Sequence, residues 1–352
     1  MILQQLPPLL LPWFAQHRRE LPWRRDKEPY HVWLSEIMLQ QTRVEAVRGY
    51  YERFLERLPT VGALAQAEEN ELLKLWEGLG YYSRVRNLQK AARRIMDEYG
   101  GVFPRTYDEI RALPGIGPYT AGAICSICFE LPTPAVDGNV LRVLSRFLAD
   151  DAPITDERVK QETARRLAEV YPQGLCGDFT QALMELGATV CLPNGAPLCE
   201  SCPLRELCRA HLSGTETKYP VKAAKKPRRV EERTVFILRC GEKLAVCKRP
   251  ASGLLAGLWQ LPDVPGALDL KDALSQAEAW GVKPRNVEKV VRRQHIFTHV
   301  QWELTGCYLE CGAEARFTWV TPAELSERIG LPTAYRQFLE EYACALGQKP
   351  LY

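Results

Sequence analysis

Four cysteines near the middle of the chain have the chemistry of metal ligands. They are Cys191, Cys199, Cys202 and Cys208, in the order C-x7-C-x2-C-x5-C. Cysteines of an apolar core are not expected to gather in a proline-rich loop, whereas four thiolates this close in sequence can surround one metal centre. Zinc and iron–sulfur clusters both accept four thiolates, so the spacing alone leaves the metal open.

Two acidic residues stand in settings that suit different catalytic roles. Glu36 lies in the apolar helical segment 30–41 with Val32 and Leu39 near it, so partial burial should raise its pKa and make it a proton donor near neutral pH. Asp137 precedes a new helix, where backbone amides should keep it ionised and able to stabilise positive charge. Taken alone, Glu36 could be a helix-surface residue and Asp137 only a helix cap.

A glycine-rich turn at 113–117 (Leu-Pro-Gly-Ile-Gly) joins two helical stretches. Gly115 and Gly117 allow backbone conformations and close approaches that side chains would block. The turn leads into a helix that begins at Pro118, and the unpaired amides of a helix N-terminus favour an anion such as a DNA phosphate. By glycine spacing alone, a tight helix–helix connection explains the turn equally well.

The elements that must position these residues follow from the apolar periodicity. Helical spacing dominates from about residue 29 to 212 and predicts an all-α domain over 1–212. The basic, proline-containing stretch 213–229 predicts a linker, with added attraction for phosphates as an open alternative. Strand-like runs at 234–240, 244–248, 294–311 and 316–320, with helices near 270–280 and 333–345, predict an α+β domain over 230–352.

Length and composition are compatible with this organisation. A chain of 352 residues is longer than one core usually serves, and a net charge of +3 permits a nucleic-acid partner without requiring one. No apolar stretch approaches the roughly 18 residues of a membrane span, and prolines interrupt the N-terminal leucines. We therefore expect a cytoplasmic protein with no secretion signal and no membrane partner.

Taken together, these features resemble the helix-hairpin-helix DNA glycosylase superfamily and, within it, the MutY adenine glycosylases. The matching segments run in order through both halves of the chain: 23–42, 76–88, 113–124, 136–146, the four cysteines, 253–262 and 295–302. The resemblance implies a multidomain protein with an all-α helix-hairpin-helix glycosylase domain and iron–sulfur cluster loop, followed by an α+β Nudix-like domain. It also implies that the four cysteines bind a [4Fe–4S] cluster rather than zinc.

The activity that the resemblance implies is base flipping and excision. Adenine opposite 8-oxoguanine or guanine would be extruded from double-stranded DNA and its N-glycosidic bond hydrolysed, by a protein acting as a monomer. Glu36 matches the residue that protonates the adenine, and Asp137 the residue that stabilises the oxocarbenium-like sugar or a transient covalent intermediate. Tyr119 and Asn139 match residues that support this centre.

Further matches concern strand cleavage and DNA contact. Relatives that also cut the strand carry a lysine where Tyr119 stands, because an amine is needed for a Schiff base, so the resemblance implies a monofunctional glycosylase. Gln41 and Tyr81 match residues that wedge into the duplex, with Tyr82 as the alternative for Tyr81. The glycine turn with Gly115 and Gly117 would bind the DNA backbone.

The second half matches a domain that reads 8-oxoguanine through a loop, here Phe297, Thr298 and His299. Much of the family has serine where Thr298 stands, so the added methyl group leaves an altered lesion preference open. The Glu-rich helix that binds magnesium for pyrophosphate hydrolysis is missing, so the domain should recognise and not hydrolyse. The family usually has six residues between the first two cysteines, whereas this chain has seven.

Two other functions are weighed against this one. An endonuclease III-like glycosylase and lyase is the nearest enzyme, and Tyr119 together with the second domain argues against it. A DNA-binding module with a purely structural cluster would keep the glycine turn and the cysteines but would have no need of Glu36.

Overall fold

The structure, a computed structural model, describes residues 2–223 and 227–345. Contacts divide the chain into two compact units. The first runs to Ala67 and resumes at Arg86, and the second joins Glu68–Val85 to the C-terminal part of the chain from residue 227 on. The predicted sequence of an all-α part followed by an α+β part is confirmed. The assignment of 68–85 to the second unit was not expected from the sequence.

The helices of the first part lie in the range 29–212 that the periodicity predicts, except for one that precedes this range. They are α1 (Leu6–His17), α2 (Pro29–Leu39), α3 (Val44–Arg57), α4 (Val61–Gln66), α5 (Glu69–Leu75), α6 (Ser83–Tyr99), α7 (Tyr107–Arg111), α8 (Pro118–Phe129), α9 (Gly138–Leu148), α10 (Glu157–Ala168), α11 (Cys176–Thr189) and α12 (Arg209–Leu212). Proline occupies the first turn of α2 and of α8, where its missing amide hydrogen costs no hydrogen bond.

The helices that carry the candidate residues pack closely. Buried side chains of α1, α9 and α11 form one apolar cluster that includes Leu10, Phe147 and Phe179. A side chain at Gly187 of α11 would place its Cβ atom 2.6 Å from the Cβ atom of Asn139. Only glycine therefore fits at this point, where α11 lies directly against the start of α9.

Part of the predicted linker packs on the helical unit. Arg146 donates hydrogen bonds to the carbonyl oxygens of Glu216 and Tyr219, and the amide of Ile154 donates to the carbonyl of Val221. The predicted linker bounds of 213 and 229 stay a prediction, and residues 224–226 lie outside the described residues.

The second unit is built on a mixed sheet with helices on both faces. Its strands are β1 (Arg229–Cys240), β2 (Lys243–Lys248), β3 (Trp259–Gln260), β4 (Asp263–Pro265), β5 (Pro284–Ile296), β6 (Val300–Cys311) and β7 (Thr318–Val320), and its later helices are α13 (Leu270–Ala279), α14 (Pro322–Arg328) and α15 (Thr333–Ala345). The strand order is β3-β2-β1-β6-β5, with β1 and β6 parallel, while β4 pairs with β1 and β7 with β2.

Side chains alternate across this sheet and form a core on each face. Val235 and Ile237 of β1 join the cluster with Phe338 of α15, whereas Phe236 and Leu238 join the cluster with α13. The predicted strand at 294–311 is two antiparallel strands, because the chain turns at residues 297–299 and β6 then pairs back along β5. Among the described helices, none has the length and apolar character needed to cross a membrane.

Candidate active site and cluster site

Glu36 is buried on α2 and meets a hydroxyl group from α8. The Tyr119 hydroxyl donates a hydrogen bond of 2.5 Å to Oε2 of Glu36, which is 6% exposed. Burial raises the pKa of Glu36 to about 7, and the charge of Asp137 also raises it, although the Tyr119 hydrogen bond and Arg24 act in the opposite direction. The apolar setting predicted for Glu36 is confirmed, and its carboxyl can hold a proton near neutral pH.

Asp137 is the N-cap of α9, and its negative charge raises the pKa of Glu36. One of its carboxylate oxygens accepts from the amide of Val140 at 2.7 Å, and the other accepts from the Asn139 side-chain amide at 2.7 Å. Burial nevertheless raises the pKa of Asp137, because desolvation outweighs these hydrogen bonds. The predicted capping is confirmed. The sequence-based expectation considered only the amides that favour the ionised form of Asp137, and burial acts against them.

The predicted catalytic residues share one cleft. It has a volume of about 470 Å³, and its lining includes Glu36, Gln41, Tyr119, Asp137 and Asn139. A cleft of this size can admit a planar base together with part of its sugar. The structure therefore brings together four residues predicted as catalytic and one predicted as a wedge.

The same cleft contains charged residues that the sequence analysis did not single out. Arg19 and Arg24 bind the carboxylate of Glu185 at 2.7 and 2.8 Å, and all three side chains line the cleft. Burial by itself would raise the pKa of Glu185. The hydrogen bonds from Arg19 and Arg24 outweigh burial and lower this pKa to about 2. The one signal in the sequence is an acidic residue, Glu185, in an otherwise apolar part of α11.

The four cysteines line a second cavity in the same unit. Cys191, Cys199, Cys202 and Cys208 all contribute to its wall, together with Arg146, His211 and Glu216. Each of the four has a free thiol. Because Cys191 lies with the other three, the seven-residue spacing does not remove it from the set.

This donor set is suited to a soft metal centre. Four thiols in one apolar pocket match the ligands of iron–sulfur clusters and of structural zinc. A second combination also exists, because ligand atoms of Cys199, His211 and Glu216 lie within 4.8 Å of one another. The geometry thus fits a metal centre and leaves two ligand sets to be compared.

A buried arginine joins the cysteine loop to the candidate active site. Arg142 donates to the carbonyl oxygen of Cys191 at 2.8 Å and to the side-chain oxygen of Asn139 at 2.8 Å, and also bonds the carbonyl of Gly187 at 2.7 Å. Asn139 in turn binds Asp137. Arg142, which is bound to the Cys191 carbonyl, therefore fixes the orientation of the Asn139 amide.

The glycine turn leads into a helix N-terminus that has no side-chain cap. Gly115 has a φ of +77°, and a Cβ atom there would lie 2.6 Å from Asn87. Gly117 is the N-cap residue just before α8 and forms no side-chain capping hydrogen bond, and space for a Cβ atom at this position is open. The first amides of α8 have no side-chain capping partner and remain suited to an anion.

The two predicted wedge residues both adopt left-handed backbone conformations. Gln41, between α2 and α3, has a φ of +58°, and Tyr81 has a φ of +47°. Such values are uncommon for residues other than glycine and often mark functional positions. Tyr81 is 47% exposed whereas Tyr82 is 6% exposed, which favours Tyr81 over Tyr82 as the wedge.

The predicted recognition loop lies between β5 and β6. The ring of Phe297 packs edge-on against Trp302 at 4.9 Å, and Trp302 is buried beneath Arg233 and Arg249. The hydroxyl groups of Thr298 and Tyr81 share a hydrogen bond of 2.9 Å. Within the second unit, a predicted wedge residue and a predicted lesion-reading residue are therefore in direct contact.

Comparison with known proteins agrees with this arrangement. Residues 34–169 match the model of the HhH-GPD superfamily of base excision DNA repair proteins, and residues 234–341 match the NUDIX domain. A thymine-DNA glycosylase structure aligns with a TM-score of 0.55 and 27% identity over 60% of this chain and 97% of its own. An endonuclease III–DNA complex aligns with a TM-score of 0.50 and 26% identity over 61% of this chain and 97% of its own.

Two curated relatives define the family more narrowly. The adenine DNA glycosylase of Homo sapiens is 38% identical over 97% of this chain and 74% of its own length. The adenine DNA glycosylase of Schizosaccharomyces pombe is 32% identical over 92% of this chain and 86% of its own. This chain belongs to the adenine DNA glycosylase family, a family of DNA N-glycosylases in base excision repair.

Proposed function

We propose that this protein removes adenine paired with 8-oxoguanine or guanine in double-stranded DNA and leaves an abasic site, acting as a monomer. The observation that carries the proposal is the buried Glu36 carboxyl, which has a pKa of about 7 and lies in one cleft with Asp137. A proton donor and a carboxylate that face one cleft are what the hydrolysis of an N-glycosidic bond requires.

In this mechanism the two carboxyl groups act in sequence on one flipped adenosine. Glu36 transfers its proton to a ring nitrogen of adenine, and the electrons of the breaking C1′–N bond move to the base. The sugar is left with a positive charge, which the Asp137 carboxylate stabilises. Water adds to C1′, loses a proton to the carboxylates and gives the abasic sugar.

The supporting residues act through these two groups. Tyr119 holds Glu36 by its hydroxyl group, and Asn139 holds Asp137. None of the described residues that line the cleft is a lysine, so the amine that a lyase needs is not supplied there. We therefore propose hydrolysis without strand cleavage.

We propose in addition that Cys191, Cys199, Cys202 and Cys208 hold a [4Fe–4S] cluster. Four thiols in one cavity and the family resemblance support this ligand set. When bound, the cluster would cross-link the loop 191–208. Through Arg142, which donates to the Cys191 carbonyl, this loop also holds Asn139.

Metal analysis distinguishes the cluster from zinc. Purified protein should contain about four iron and four sulfide per chain and negligible zinc. The matched variant is His211→Asn, because His211 belongs to the set with Cys199 and Glu216 but supplies no thiol. Iron retained in this variant and lost in Cys199→Ala supports the cluster, whereas stoichiometric zinc that is lost in His211→Asn contradicts it.

The second domain is proposed to read the opposite base through Phe297, Thr298 and His299. Thr298 is exposed at the turn between β5 and β6, and its hydroxyl can donate to or accept from a base edge. Gln41 and Tyr81 are proposed to fill the space of displaced bases, and Gly115 and Gly117 to bind the DNA backbone.

The test is single-turnover excision of adenine from labelled duplexes. We expect strand breaks only after alkali, with the fastest reaction opposite 8-oxoguanine, a slower reaction opposite guanine and little reaction opposite thymine. Breaks that form without alkali would identify a lyase and contradict the hydrolytic proposal. No excision by protein with its full metal content would contradict adenine as the substrate.

A further inference from the structure

We propose that Glu77 is a positioning residue for lesion recognition, which fixes the segment Glu68–Val85 against the rest of the second unit so that Tyr81 and Thr298 act together. The inference rests on the proposed functions of Tyr81 and Thr298. It assigns a role to a residue outside the cleft, the cysteine loop and the recognition loop.

The first step is an anchor made by a partly buried ion pair and a hydrogen bond to a backbone amide. Oε1 of Glu77 accepts a hydrogen bond from the backbone amide of Leu331 at 2.8 Å, and Oε2 binds the ammonium group of Lys74 at 2.7 Å. Lys74 also donates to the carbonyl of Ile329 at 3.4 Å. The Glu77 side chain is 7% exposed, so loss of its carboxylate would leave the Leu331 amide without this acceptor in a place from which water is largely excluded.

Backbone packing at the same place leaves little freedom. A Cβ atom at Gly330 would lie 3.2 Å from the carbonyl oxygen of Leu73. The chain between α14 and α15 therefore passes directly over the end of α5. The anchor therefore fixes the distance between two backbone segments, the end of α5 and the chain between α14 and α15, and is more than a contact of two flexible side chains.

The second step is a rigid connection from Glu77 to Tyr81. The indole nitrogen of Trp76 donates to the carbonyl of Gly80 at 3.0 Å, and Arg84 donates to the carbonyls of Leu79 and Gly80. The Arg84 guanidinium also lies 5.3 Å from the ring centre of Trp76 and 5.4 Å from that of Tyr81. Three residues separate Glu77 from Tyr81, and these hydrogen bonds and ring contacts hold the turn between them.

The third step is the contact at the far end of the turn. Tyr81, whose backbone is left-handed, shares its hydroxyl hydrogen bond with Thr298. The segment is thus held to the second unit at Glu77 and again at Tyr81. A loop that reads a base and a ring that replaces a stacked base would then enter the duplex as one body, with less conformational entropy to lose on binding.

This arrangement predicts that the anchor affects selectivity more than chemistry. Glu36 and Asp137 belong to the first unit, so the cleft should still excise adenine when the anchor is lost. We expect a fall in the ratio of the excision rate opposite 8-oxoguanine to the excision rate opposite guanine.

The experiment compares single-turnover excision of adenine opposite 8-oxoguanine and opposite guanine. In Glu77→Ala we expect the ratio of the two rates to fall roughly three- to tenfold, the scale of one lost buried hydrogen bond, with the rate opposite guanine nearly unchanged. Glu77→Gln keeps an acceptor for the Leu331 amide and should restore much of the ratio. Lys74→Met leaves Glu77 in place and should also lower the ratio. It serves as the second variant in case Glu77→Ala is too unstable to purify.

A matched variant separates positioning from stability. Tyr308→Phe removes a buried hydrogen bond of 2.6 Å to the carbonyl of Phe338 in the same unit and leaves the segment Glu68–Val85 intact. An equal fall of the ratio in Tyr308→Phe would show a general loss of stability and overturn the inference. So would an unchanged ratio in Glu77→Ala when the wild type prefers 8-oxoguanine.

A double-mutant cycle supplies a second test. If Glu77 acts through alignment of Tyr81 with Thr298, Thr298→Ala should lower the ratio less in the Glu77→Ala background than in the wild type. Additive effects would overturn the inference alone. A wild-type protein with no preference for 8-oxoguanine would instead overturn the proposed function, and the inference with it.

Discussion

Replacement of Glu36 by glutamine should lower adenine excision by about two orders of magnitude or more, while binding to a duplex with adenine opposite 8-oxoguanine is retained. Glutamine has nearly the same shape and can still accept the hydrogen bond from Tyr119. It has no acidic proton to give to the departing base. Single-turnover rates and a binding titration at the same salt concentration separate the two effects.

The pH dependence gives this prediction a second readout. Because the acid must be protonated and its pKa is raised to about 7, the rate should fall as pH rises through about 7. This alkaline decline should be absent from the residual activity of Glu36→Gln. The matched control is Glu162→Gln, an exposed glutamate on α10 that pairs with Arg165, and it should keep both the rate and the pH profile. Unchanged excision in Glu36→Gln would show that Glu36 is not the acid.

Replacement of Asp137 by asparagine should lower excision by about two to three orders of magnitude with little change in thermal stability. Asparagine is as good an N-cap as aspartate and can still accept from the Val140 amide, so α9 keeps its start. What disappears is the negative charge that stabilises the sugar cation, together with the oxygen that accepts from the Asn139 side-chain amide. Single-turnover kinetics and a thermal melt on one preparation test both halves of the prediction.

The control for Asp137 is another helix cap. Asp156 caps α10 by accepting from the amide of Arg158 at 2.9 Å, and it does not line the cleft. Asp156→Asn should leave excision unchanged. If Asp137→Asn were equally harmless, Asp137 would be a structural cap and the charge on the sugar would have to be stabilised by another group.

Local sequence patterns predicted the apolar helical setting of Glu36 and the helix start at Asp137, whereas Tyr119 and Asn139 were singled out only by the family resemblance. Proline at the first turn fixes the starts of α2 and α8, the helices that carry Glu36 and Tyr119. Asp137 is a cap because it directly precedes α9. These are short-range effects, which sequence carries explicitly.

Features that depend on contacts between distant residues were not predictable in this way. The pairing of Glu185 with Arg19 and Arg24 joins positions more than a hundred and fifty residues apart. The same holds for the contact of Glu77 with Leu331. The raised pKa of Asp137 likewise reflects burial by the whole fold, which outweighs the local hydrogen bonds that the sequence suggested.

The long strand β5 also bears on how the molecule avoids associating with itself. Among the described strands it pairs only with β6, so its other side is an edge of the sheet, along which a neighbouring molecule could add a strand. Two register irregularities interrupt the strand at 284–286 and 287–289, and charged side chains follow at Lys289, Arg292 and Arg293. Irregular backbone and repeated positive charge both oppose the pairing of this edge with the same edge of another molecule.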